Sequence, residues 1–390
     1  MPTIVHVMGA RPNFMKVAPV HRALAALPPA GWRTPLRQVL VHTGQHYSAN
    51  LSDVFIRQLG LPEPDVNLGV GSGTHAEQTG AIMVAFEKVL ADVRPDLVVV
   101  VGDVNSTIAC ALTARKLGVP VAHVEAGLRS FDESMPEEIN RVLTDAISDL
   151  LFTTEESGNE NLWRTGVERH KIHFVGNTMI DSLLLQSEAA AQRDTLGALG
   201  LAAGDAARGQ NGATARPFAL LTLHRPSNVD RRETLAPILE GVARLSERLP
   251  VVFPLHPRTA ARSREFGLEG HFEPLARVAR RGAGLGACDP VDYLDMLNMM
   301  RHAALVLTDS GGVQEETTFL GTPCLTLRAN TERPVTVSRG TNVLVGQDMG
   351  RMQREADKIL SGRGKKGETP DLWDGKAGAR IAAVLADRLG

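Results

Sequence analysis

The chain has 390 residues, 43% of them hydrophobic and 22% charged, with a formal net charge of −2. That length is too great for one ordinary core and fits two domains, and the composition is globular rather than disordered. The near-neutral balance supplies no basic field, which argues against nucleic-acid or anionic-membrane partners, so any phosphate recognition has to be local.

The first predicted strand, Thr3–Met8, follows the N-terminus without the basic and apolar regions of a signal peptide. No apolar stretch approaches a membrane span, and the expected location is cytoplasmic. Strands are predicted next at Arg37–Thr43, Leu97–Val101, Val119–Val124, Leu150–Thr153 and Ile172–Val175. Helical patterns lie between them at Val17–Leu27, His75–Asp92, Asn105–Leu117 and Glu137–Ser148. Leu97-Val98-Val99-Val100-Val101 is apolar without a break, the mark of a strand buried on both faces of a parallel sheet.

From Asp181 to Pro217 the alternation weakens, and the Gly- and Ala-rich stretch Ala203–Gly212 is expected to be a flexible surface loop. A second alternating set then supplies strands at Phe218–Leu223, Val251–Leu255, Ala304–Thr308, Pro323–Leu327 and Asn342–Val345, and a last helix from Lys376 to Leu389. The expected fold is α/β, with two doubly wound Rossmann-like domains facing a central cleft. The expected boundaries are 1–177, joined by the C-terminal helix 372–390, and 178–371. Cys110, Cys288 and Cys324 are widely separated and form no CxxC pair, which predicts reduced thiols used for packing.

In such a fold the residues just after strands carry the chemistry. The first strand runs into Gly9-Ala10-Arg11-Pro12-Asn13-Phe14-Met15-Lys16, a turn and helix start with two cations suited to an anion. An ordinary turn with two solvated cations would read the same way. The third strand ends in Gly102-Asp103, where Asp103 is either a helix cap or a reacting group. Glu125, in His123-Val124-Glu125-Ala126-Gly127-Leu128-Arg129, directly precedes a small-Gly turn and has no capping explanation. In Met135-Pro136-Glu137-Glu138-Ile139-Asn140-Arg141 the helix dipole accounts for one of the two acids, and Arg141 could be only a surface partner of Glu137. In conjunction, Asp103, Glu125 and Glu137 are expected to converge at one sheet edge with Arg11, Lys16 and Arg141, where clustered charges set which acids stay ionised.

The second half places His224-Arg225-Pro226-Ser227-Asn228, His256-Pro257-Arg258 and Asp309-Ser310-Gly311-Gly312-Val313-Gln314-Glu315-Glu316 after its strands. Ser310 with Gly311 and Gly312 at a helix start offers backbone donors to a diphosphate. Capping explains the serine but not the paired glycines, which weaken a helix. Glu316, expected on about the first turn, could accept from ribose hydroxyls. Gly282-Ala283-Gly284-Leu285-Gly286 imitates a dinucleotide loop, but its spacing is wrong and no strand precedes it. No histidine pair at metal spacing sits near the acids, so no metal site is expected.

Taken in order, Gly9–Arg11–Pro12, Gln45–His46, Gly102–Asp103, His123–Arg129, Pro136–Arg141, His224–Arg225, Asp309–Glu316 and Glu332-Arg333-Pro334 resemble the non-hydrolysing UDP-N-acetylglucosamine 2-epimerases. The likeness runs from about Ile4 to Val345. It implies a GT-B-like fold, a UDP-sugar substrate, no cofactor and a homodimer. It also implies that Asp103, Glu125 and Glu137 handle the C2 proton and the oxocarbenium-like charge. His224, Arg225, Arg11 and the Ser310–Gly312 donors would stabilise departing diphosphate, Glu316 would hold ribose, and Lys16, Arg141 and Arg333 would organise the site. Gln45 and His46 match a regulatory pair of some relatives, although Gly73–Gln78 departs from the pattern that accompanies it. Ser227 stands where the family often has Glu, and Met296 where an aromatic residue meets uracil through its backbone. Hydrolysing relatives usually carry Arg after Gly-Asp, where Val104 stands here. The rival readings are a hydrolysing 2-epimerase, a GT-B glycosyltransferase, a silent nucleotide-sugar sensor, and an epimerase for another C2-acetamido sugar such as a uronic acid.

Overall fold

A computed structural model describes residues 1–27, 35–44, 56, 58–202 and 216–389. The Ala203–Gly212 stretch, Gln45 and His46 lie outside the described residues, as does the side chain of Arg11. The chain divides into two compact units, Met1–Leu184 with Asp371–Gly390, and Leu185–Pro370.

The first unit is built on seven strands: β1 (Thr3–Met8), β2 (Arg37–His42), β3 (Val66–Asn67), β4 (Leu97–Val101), β5 (Val121–Ala126), β6 (Leu150–Thr153) and β7 (Ile172–Phe174). Their order across the sheet is β3-β2-β1-β4-β5-β6-β7, and every pairing is parallel. β1, β4, β5 and β6 are buried along their whole lengths, and β4 accordingly reads as an unbroken apolar run; each buried Val or Leu there is worth about 1.5–3 kcal/mol. The helix Arg11–Ala26 starts six residues before the apolar pattern suggested. Pro12 is tolerated in a first turn, and Asn13 Oδ1 accepts the N–H groups of Gly9 and Ala10 at 3.1 and 2.8 Å. Apolar periodicity alone misses this polar opening, which the Gly9–Lys16 segment, read as a turn and helix start, marks.

The second unit has β8 (Ala219–Thr222), β9 (Val251–Pro254), β10 (Glu273–Pro274), β11 (Leu285–Cys288), β12 (Leu305–Thr308), β13 (Cys324–Thr326) and β14 (Asn342–Leu344). They are ordered β10-β11-β9-β8-β12-β13-β14, again parallel throughout. The glycine-rich decoy turns out to enter a strand: Gly284 ends a turn at φ 116° and Leu285 begins β11. β3, β10 and β11 are short or glycine-containing, and sequence pattern did not mark them. In each sheet the chain reverses its winding beside one central strand, between β1 and β4 and between β8 and β12. Ligands bind beyond the carboxyl ends of strands at such points.

Among the described residues no helix is long and apolar enough to cross a membrane.

Candidate active site

At the first switch point Asp103 follows β4 and Glu125 lies near the end of β5. Glu125 is 3% exposed and forms an ion pair with Lys16, itself 4% exposed, from the helix after β1. Gly102 makes room for that lysine: it sits at φ 64°, and a β-carbon there would lie 2.8 Å from Lys16 Nζ. The N-cap position of the following helix is held by Val104 rather than by Asp103. The Asp103 carboxylate pairs with Arg141 Nη1. Arg141 is 2% exposed, so it is no surface partner of Glu137; its Nε and Nη2 donate to Glu138 Oε2 at 3.0 and 2.7 Å.

Of the two acids opening the Pro136–Ile147 helix, Glu137 is half-buried and Glu138 is buried. Glu138 also accepts the N–H groups of Ser130 and Phe131 at 2.9 and 3.0 Å. Burial alone would raise its pKa, but the Ser130 N–H, the Arg141 hydrogen bond and the Arg141 charge together hold it below the usual range. Nearby, Asn140 Nδ2 donates to the Asp103 carbonyl at 2.8 Å. Asn105 Nδ2 donates to Gln78 Oε1 at 2.9 Å, which brings part of the divergent Gly73–Gln78 stretch to the helix after Asp103. Asp103, Glu125, Lys16 and Arg141 thus lie at one sheet edge.

At the second switch point Asp309, fully buried at the end of β12, organises the end of β8. Its oxygens accept the N–H of His224 at 3.0 and 3.1 Å and that of Arg225 at 2.8 Å, and Oδ1 lies 3.0 Å from His224 Nδ1. Burial raises the pKa of Asp309, but the His224 hydrogen bond and charge and the two backbone donors bring it below the usual value. An anion on Nδ1 directs the hydrogen there and leaves Nε2 as the working nitrogen of a half-exposed imidazole. The helix Gly311–Leu320 begins at Ser310, which occupies the N-cap position with no side-chain cap bond, so capping does not account for this serine. A β-carbon on Gly311 would lie 2.5 Å from Arg333 Nη1 and 2.7 Å from Glu332 Oε1. Glycine is therefore required for buried Arg333 to lie against the helix start. Arg333 is anchored by Glu315 at 2.9 Å, and Glu332 by Arg328 at 2.8 Å.

Glu316 is the sixth residue of its helix, one turn later than expected, and is 4% exposed. Tyr293 donates its hydroxyl to Glu316 Oε1 at 2.8 Å. Burial pushes Glu316 up to about 7, with the Tyr293 hydrogen bond opposing and neighbouring Glu315 adding to the rise. Met296 is half-buried one turn from Tyr293, and its N–H donates to the Asp292 carbonyl at 3.0 Å. The three thiols are unpaired with one another; burial holds Cys110 well above the ordinary range and Cys288 and Cys324 near 11, poor values for a nucleophile.

Sequence reasoning assigned no role to Glu138, Asp309, Tyr293 or Glu332. Asp309 carried a readable signal, an acid directly after a strand as at Asp103. The others are recognisable only from their contacts.

The family model for UDP-N-acetylglucosamine 2-epimerase matches residues 32–386. The chain is 43% identical over 381 residues to a UDP-N-acetylglucosamine 2-epimerase of Methanocaldococcus jannaschii, covering 97% of each. The chain belongs to the UDP-N-acetylglucosamine 2-epimerase family. It is also 41% identical to a UDP-2,3-diacetamido-2,3-dideoxy-D-glucuronate 2-epimerase of Pseudomonas aeruginosa, covering 98% of this chain and 99% of that one. The Methanocaldococcus jannaschii UDP-GlcNAc 2-epimerase solved with UDP-GlcNAc and UDP superposes with a TM-score of 0.83 at 41% identity, covering 98% and 99% of the two chains. The two parallel sheets place this family member in the GT-B-like α/β class.

Proposed function

We propose that this chain is a non-hydrolysing 2-epimerase that interconverts UDP-GlcNAc and UDP-ManNAc. The observation that carries the reading is the set formed by half-buried Asp103 and buried Glu125, Lys16 and Arg141 at the first switch point, in a chain of this family. In the proposed reaction the anomeric C1–O bond ionises and its electron pair leaves with UDP. A carboxylate removes the C2 proton, and the C2–H pair becomes the C1=C2 bond of a 2-acetamidoglucal. Protonation of C2 from the other face and return of UDP to C1 complete the inversion.

Asp103, Glu125 and Glu137 divide the proton transfer and the stabilisation of positive charge on the ring. His224, Arg225, Arg11 and the backbone donors of Ser310, Gly311 and Gly312 stabilise the departing diphosphate, with Asp309 holding the His224 ring. Glu316 receives the ribose hydroxyls, Met296 borders uracil, and Lys16, Arg141 and Arg333 keep the charged groups in place. Val104, where hydrolysing relatives usually have Arg, supports return of UDP over capture by water. The expected homodimer belongs to the same proposal. Ile139, Val142 and Leu143 stand 50, 42 and 49% exposed on one helix, an apolar stripe suited to a second copy.

The Pseudomonas aeruginosa relative favours one other reading, a UDP-2,3-diacetamido uronate as substrate. Incubation with UDP-GlcNAc in deuterated water, with no added metal, tests the proposal. UDP-ManNAc carrying deuterium at C2 is the expected product. Free ManNAc would indicate the hydrolysing reaction. Exchange with the diacetamido uronate but not with UDP-GlcNAc would move the assignment to that substrate.

A further inference from the structure

The Pro136–Ile147 helix carries another buried acid, which the chemistry above leaves unused. Asp145 is 3% exposed, and its two oxygens are divided between the two flanks of Glu125. Oδ1 lies 2.7 Å from His123 Nδ1, while Oδ2 accepts the Gly127 N–H at 3.0 Å and Arg129 Nη1 at 2.6 Å. His123 and Gly127 stand two residues before and two after Glu125. Between them the strand is irregular. Its register against β6 shifts between Val124 and Ala126, and Glu125 sits at φ 73°, a left-handed conformation that a β-carbon disfavours. Gly127 follows at φ 80°, where a β-carbon would come within 2.8 Å of the Gly158 backbone.

The same acid reaches Asp103. His123 Nε2 lies 2.8 Å from the Gly102 carbonyl. A carbonyl can only accept, so Nε2 carries a hydrogen, and a second hydrogen lies between Nδ1 and the Asp145 carboxylate. The Gly102 N–H closes the arrangement on the Val124 carbonyl at 3.0 Å.

We propose that Asp145 is a positioning residue. It holds Glu125 in its left-handed bulge from both sides and, through His123, sets the turn that presents Asp103. The inference rests on reading Glu125 and Asp103 as reacting groups. Strained backbone persists only where its surroundings over-determine it, and the two flanking attachments to one buried carboxylate supply that constraint.

The test is Asp145→Asn, which keeps the shape of the side chain but replaces one acceptor oxygen with a donor. Expected are a kcat reduced about 100-fold, the cost of displacing reacting groups by roughly 1 Å, and a KM for the UDP-sugar and a Kd for UDP within about threefold of wild type. A kcat within about threefold of wild type would overturn the proposal. Glu125→Gln, measured beside it, separates the two ideas. If that variant keeps its turnover, the reading of Glu125 falls whatever Asp145 does; if it is crippled while Asp145→Asn is not, only the positioning role falls. The wild-type protein supplies a check independent of variant folding. With 15N-labelled histidine, the His123 ring should show a slowly exchanging hydrogen on Nε2, and a bare Nε2 would remove the link to Gly102.

Discussion

Lys16 and Glu125 are both buried and are paired with each other, and removing one partner of such a buried pair by mutation typically costs about 3–5 kcal/mol. Glu316 behaves differently because its buried partner is a neutral hydroxyl. Its carboxyl is pushed by burial from 4.5 up to about 7, so the folded state holds a proton that the unfolded chain has already released. Between those two values unfolding releases a proton, and stability must fall as pH rises, levelling off above about 7. The full swing is on the order of 3 kcal/mol. Chemical denaturation across this range should show the decline in the wild type and a flatter profile in Glu316→Gln; equal slopes would mean that Glu316 does not hold its proton.

The Pro136–Ile147 helix has its apolar and polar faces exchanged relative to an ordinary surface helix. Glu138, Arg141, Thr144 and Asp145 are buried, whereas Ile139, Val142 and Leu143 are exposed. A polar stripe faces inward because it meets Asp103, Ser130, His123 and Arg129 there, and each of those contacts satisfies a charge that burial would otherwise penalise. At the Gly311–Leu320 helix the controlling feature is space. A methyl group at Gly311 would overlap the Arg333 guanidinium and the Glu332 carboxylate. Gly311→Ala should therefore displace Arg333, costing about 1–3 kcal/mol of stability by overpacking and weakening UDP at least about tenfold. Calorimetric titration with UDP checks this, and unchanged affinity would mean that Arg333 does not organise the diphosphate donors at Ser310–Gly312.

Each sheet has its winding reversal at a central strand, and each reversal carries a cluster of charged groups. The first unit is also closed by chain that returns after the second one. Trp373 is 1% exposed and donates Nε1–H to the Thr154 carbonyl at 3.0 Å, and Gly378 lets the Ala377–Leu389 helix approach the Pro19 carbonyl. Asp181 accepts the N–H groups of Ala377 and Gly378 at 3.1 and 2.7 Å, fixing the start of that helix. Trp373→Ala should cost about 3–5 kcal/mol, the usual loss for a buried large aromatic, read as a lower midpoint in denaturant unfolding. A loss below about 1 kcal/mol would mean that the returning segment adds little to the first unit.

Sequence alone determined the class of fold and the strand ends where chemistry had to be sought. Uninterrupted apolar runs such as Leu97–Val101 record burial on both faces, a property of the strand itself. Acids and glycines directly after those runs, at Asp103, Glu125 and Ser310–Gly312, are local signals of the same kind. The short strands β3, β10 and β11 escaped because they carry too few residues or too much glycine for a period to show. What only the tertiary structure decided was partnership: Arg141 with Asp103 and Glu138, Asp309 with His224, Tyr293 with Glu316, and Asp145 with both flanks of Glu125. Several of these residues lie tens of positions apart and meet because crossover connections return each strand end to one edge. A charge's partner is a fact about three-dimensional proximity and desolvation, and periodicity along a chain contains neither.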